Sequence, residues 1–141
     1  MWHHLPMTTL KQANRTVSWT RWLLRVTVTI EAILAIAQPI FIGAFLQGNY
    51  SALTWHKTNA TLVAAVAFAM TVAAVLHWRP GRGPGWVASA CVAVVAAIVV
   101  QIVFGYSRTL AIHIPLGVLV VTASVLLLVW SWRPERVGID R

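Results

Sequence analysis

Four stretches of this chain stay apolar for about as long as a helix needs to cross a bilayer. Trp22 to Leu46, Leu53 to Leu76, Trp86 to Phe104 and Leu110 to Trp130 each approach the roughly 20 residues that span the hydrocarbon core. The last three are nearly free of charge. A soluble four-helix bundle needs a polar outer face at helical spacing on every helix, and these segments have almost none. Hydrophobic residues make up 59% of the 141 and charged residues 10%, against about 25% charged in an ordinary soluble domain. The expected fold is all-α: one integral membrane four-helix domain, with residues 1–20 as a tail before the first span. The first run is too long for the apolar part of a cleaved signal, and three more spans follow it. Cys91 is the single cysteine, so neither an internal disulfide nor a cysteine metal cluster is expected.

The basic residues set the orientation. Lys11, Arg15, Arg21 and Arg25 precede or open the first span, Arg79 and Arg82 lie between the second and third, and Arg133, Arg136 and Arg141 follow the last. Lys57 and Arg108 alone fall on the opposite side. Excess Lys and Arg marks cytoplasmic loops, so both termini are expected inside. The net charge of +8 is spread along span ends rather than gathered in one patch, which argues against a nucleic-acid partner. Trp19, Trp22, Trp78, Trp86, Trp130 and Trp132 gather at the inner interface; Tyr50, Trp55 and Tyr106 mark the outer one. The "RPGRGPG" stretch lacks the preceding strand and following Lys-Ser/Thr of a phosphate loop, and is expected to be the inner turn.

His56 and His113 open the second and fourth spans, both on the outer side. His77 lies 21 residues beyond His56, about 31 Å along a helix, so those two cannot share a ligand. His56 and His113 can. Their settings also match: Gln38 corresponds to Gln101, Gly43 approximately to Gly105, and His56 to His113, although the gaps differ. Two hairpins of like orientation are related by a pseudo-two-fold axis along the membrane normal, which brings the two imidazoles face to face. Haem iron takes axial histidines, and bundle cores hold cofactors between facing helices. Haem b is therefore the expected cofactor. Ala60 and Gly117, one turn further in, leave room for a flat macrocycle. Lys57 and Arg108 can pair with its propionates, or they are interface cations that snorkel. Asn59 and Gln101 can hydrogen-bond a histidine's second nitrogen or a propionate. The glycines can equally serve close helix packing.

The run "VVQIVFGYSRTLAIHIPLGVLVV" resembles the third and fourth helices of one half of haem A synthase, where a Gln-x-x-x-Gly helix is followed by a histidine opening the next. "WHKTNA" is similar to that family's opening of the second helix. The resemblance covers about residues 30 to 130 and implies that His56 and His113 are axial ligands in a bacterial plasma membrane. The family has two such halves and works with an acidic residue in the first outer loop. This chain has one half, and its loop "QGNYSALTW" has no Asp or Glu. The expectation is a b-type haem protein in electron transfer or haem handling, with a quinol or protein redox partner. A cofactor-free scaffold or accessory subunit, and a homodimeric haem-modifying or quinol-oxidising enzyme, are the alternatives.

Glu31 lies about nine residues into the first span. A carboxylate there costs about 2.5 to 3.5 kcal/mol, so a partner is expected: Arg25 or His77, or a hydroxyl of Thr27, Thr29 or Ser124.

Overall fold

A computed structural model describes residues 7–134, with side chains described from Trp19 onward. His3, His4, Arg136 and Arg141 lie outside the described residues, and the side chains of Lys11 and Arg15 lie outside those described. The chain forms four helices: α1 (Met7–Leu46), α2 (Ser51–Trp78), α3 (Gly85–Tyr106) and α4 (Leu110–Trp132). All four are long and apolar enough to cross a membrane. The span boundaries read from hydropathy fall within three residues of the helix ends, with one exception. α1 begins at Met7 rather than near residue 22, because no Gly or Pro interrupts residues 7–21. Hydropathy marks the apolar part of a helix and says nothing of where its hydrogen-bonded ladder starts.

The helices pack in ring order. α1 lies against α2 and α4, α3 lies against the same two, and the diagonal pairs make no close backbone approach. The core is built largely from small residues: Ala32, Ala35, Ala67, Ala73, Ala74, Ala88 and Cys91, around Leu24, Val28, Met70, Val87 and Leu127. Small side chains let helix backbones come close where lipid tails offer no hydrophobic drive for association. The large apolar side chains point the other way. Trp22, Ile33, Ile40, Phe68, Val99, Leu119 and Leu126 are exposed, an outer surface suited to an apolar solvent or a partner.

The two ends of the bundle differ. At the terminal end, the turn after α2 closes on His77: Gly83 N–H donates to the His77 carbonyl at 2.8 Å and Gly81 N–H to that of Leu76 at 3.1 Å. A methyl group on Gly81 would meet the His77 backbone, and one on Gly83 its ring. Gly81 and Gly83 of "RPGRGPG" thus cover a buried histidine. At the other end, few side chains are buried: none of α1 beyond Ala35, only Ala52 and Asn59 of α2 before Val63, none of α3 beyond Ile98 and none of α4 before Val120.

The two turns at this histidine end are the same device. Asn49 N–H donates to the Ala44 carbonyl at 3.1 Å, and Thr109 N–H to that of Phe104 at 3.0 Å. Each is a six-to-one closure around a left-handed residue, Gly48 at φ 97° and Arg108 at φ 59°. With these turns superposed, Gln38 and His56 each lie three residues further from the turn than Gln101 and His113 do. Three residues are nearly one helical turn. The first hairpin therefore projects about one turn further while presenting the same face, which accounts for the unequal gaps in the sequence repeat.

Candidate functional site

His56 sits early in α2 and His113 early in α4, on diagonal helices from opposite hairpins. Their rings meet across the bundle with centroids 6.3 Å apart and planes at 67°. Both side chains are half-buried. This is the pair expected from the repeat; His77, buried at the terminal end, is not part of it.

Each ring is held by the helix preceding its own. Nδ1 of His113 is 2.8 Å from the Gln101 carbonyl, and Nδ1 of His56 is 3.3 Å from the Gln38 carbonyl. A carbonyl accepts only, so the Gln101 contact puts the proton of His113 on Nδ1 and leaves Nε2 with its lone pair. Metal-ligating histidines are oriented in this manner. The His56 side has a second neighbour. The Gln38 amide satisfies its surroundings with its oxygen accepting from Ala60 N–H at 2.9 Å and its NH₂ on the His56 carbonyl at 3.2 Å and Nδ1 at 2.7 Å. In that orientation the ring proton lies on Nε2. Turned over, the amide oxygen can accept from Nδ1–H and leave Nε2 free, but it then faces the His56 carbonyl oxygen and its NH₂ faces the Ala60 N–H. The Gln38 amide therefore governs which nitrogen of His56 is available.

The surrounding residues fall as follows. Gly105 stands beside the His113 ring, where a methyl group would be 2.9 Å from Cε1. Gly43 has nothing within 4 Å of such a methyl. Gly105 is four residues after its glutamine and Gly43 five, and one residue turns a helix face by about 100°. The space beside Gly117 is taken by the Gln101 amide, 2.7 Å from a methyl placed there. Gln38 reaches Ala60 correspondingly, so each glutamine braces the residue four beyond its histidine. Asn59 Nδ2 donates to the Leu34 carbonyl at 2.8 Å, tying α2 to α1. That carbonyl lies one helical turn before Gln38. Lys57 and Arg108 are exposed at this end of the bundle.

Glu31 also departs from expectation. It is 0% exposed, and neither of its oxygens has a hydrogen-bond partner. Arg25 donates instead to the Ser131 carbonyl at 2.9 Å. Thr27 and Thr29 bond back to their own helix. The Ser124 hydroxyl is buried without a partner as well.

Among the described residues no group of three or more His, Cys, Asp or Glu is placed to hold a metal ion. Two histidines cannot by themselves complete a tetrahedral site. They can complete the coordination of an iron already held in a plane by a macrocycle. With ring centres 6.3 Å apart, His56 and His113 would be the residues to hold such an iron between them. No protein-family model, no curated protein and no solved structure matches the chain.

Proposed function

We propose that the chain is a membrane-embedded b-type haem protein with His56 and His113 as the two axial ligands. The observation that carries this is the pair of rings at 6.3 Å, from matching positions of two like hairpins. It is supported by the anchored Nδ1 of His113 and by the scarcity of buried side chains at that end of the bundle. Haem bound by two histidines supplies a one-electron iron couple with no open coordination position, which suits electron transfer or haem handling. Gln38 and Gln101 orient the ligands. Lys57 and Arg108 put positive charge where propionates need it, and Ala60, Gly117 and Asn59 shape the helices beneath the rings. The resemblance to one half of haem A synthase points the same way, and a homodimer would restore that family's eight helices.

The protein crosses a bacterial plasma membrane four times, with both termini cytoplasmic and the histidine pair near the outer leaflet. A quinol or a redox protein exchanges electrons there. The test is the visible spectrum of the detergent-purified chain. A dithionite-reduced low-spin b-type band, with haem bound stoichiometrically, is expected. A featureless spectrum after supply of haem would make the chain a scaffold or accessory subunit.

A further inference from the structure

The terminal end holds a cavity that the histidine site does not use. It is a half-open hollow of about 350 Å³, lined in part by Arg21, Arg25, Arg82 and Arg133, with His77 and Trp130. That is near the lower bound of small-ligand pockets, roughly 300 to 1,000 Å³. Two of the guanidinium groups are fixed in place across the bundle. Arg21 donates to the Arg133 carbonyl at 3.1 Å and Arg25 to that of Ser131 at 2.9 Å. Arg25 also stacks on Trp22 and Trp132, 5.5 and 5.0 Å from their ring centres. Carbonyls at the end of α4 account for these two cations. They do not account for Arg82 and Arg133, which bring two more charges to the same cavity. Among the described residues Glu31 is the sole carboxylate, and it does not line the cavity. The positive-inside bias asks only that cations stay on one side of the membrane; it does not ask four of them to share a hollow.

We infer that this cavity binds an anionic phosphate group, from a phospholipid of the adjoining leaflet or from solution. Guanidinium forks match phosphate oxygens, and basic pockets between helix ends at the cytoplasmic side take lipid headgroups. The tryptophans around it put the cavity at headgroup depth. The site stands independently of haem binding.

Thermal unfolding of the full chain in detergent tests it, with phosphatidylglycerol, phosphatidylcholine or inorganic phosphate added, against chloride at matched ionic strength. Phosphatidylglycerol should raise the midpoint and phosphatidylcholine should not, which identifies a lipid source. A rise with inorganic phosphate, and none specific to phosphatidylglycerol, identifies a soluble one. Arg82→Gln with Arg133→Gln should abolish the rise while leaving the fold intact, since neither side chain ties α1 to α4. Equal response to both lipids without response to phosphate, no response at all, or a full response in the double variant would each overturn the proposal. So would a response that appears only after Glu135→Gln and Asp140→Asn, because the chain's own carboxylates would then be the occupants.

Discussion

His113 is held by a single short contact, and that makes Gly105 a sensitive position. The ring cannot retreat from a methyl 2.9 Å from Cε1 without lengthening its 2.8 Å bond to the Gln101 carbonyl. Gly105→Ala should cost about 1–3 kcal/mol as an overpacked site and weaken haem retention. Gly43→Ala meets nothing and should be neutral or stabilising by up to about 1 kcal/mol. Thermal unfolding and haem content of the two variants check this; equal behaviour would mean the ring is not confined by Gly105. Glu31 gives an opposite expectation. A buried carboxyl without partners carries a desolvation penalty of about 1–3 kcal/mol, so Glu31→Met should raise the unfolding midpoint. A lower midpoint would show that Glu31 has a partner in the working protein. The histidines were legible in the sequence because their type and spacing carry chemistry. The part played by Gln38 and Gln101 was only half legible. The repeat pairs them, but much of their hold on the rings is through backbone carbonyls, which leave no mark in residue type. The tie from Asn59 to the Leu34 carbonyl was not legible, because depth in a helix does not say which neighbour a side chain will meet.

At the scale of elements, the two histidine-end turns share one hydrogen-bond pattern and differ at the left-handed position. Gly48 takes the left-handed conformation freely, whereas Arg108 takes it at φ 59°, a cost of roughly 1–2 kcal/mol for a residue with a side chain. Strain of this kind points to a retained use for the side chain, which the proposed pairing with a haem propionate would supply. Arg108→Gly should therefore stabilise the chain by about 1 kcal/mol and at the same time weaken haem binding. A gain in stability with haem affinity unchanged would remove Arg108 from the site. The four spans were legible to within three residues because hydropathy tracks the bilayer's demand on length. The upstream extension of α1 was not, since its polar sequence satisfies a helix without satisfying a membrane. The unequal gaps of the repeat obscured the match between hairpins until the shared turns showed the extra turn of the first hairpin.

For the whole molecule, an inverted distribution of side chains carries the account: small residues inside, large apolar residues outside, every described arginine except Arg108 at one end and the His56–His113 pair at the other. The proposed orientation rests on the arginines. A reporter fused after Arg141 should behave as cytoplasmic, and periplasmic activity would exchange the sides of both sites. The central claim is that His56 and His113 together hold a haem. The most direct measurement is the reduced-minus-oxidised spectrum of His56→Ala, His113→Ala and His77→Ala beside the parent chain. The first two should each lose the low-spin six-coordinate spectrum or the haem itself. His77→Ala, altered at the far end of α2, should keep both. An unchanged spectrum in His56→Ala or His113→Ala, or a loss confined to His77→Ala, would contradict the account.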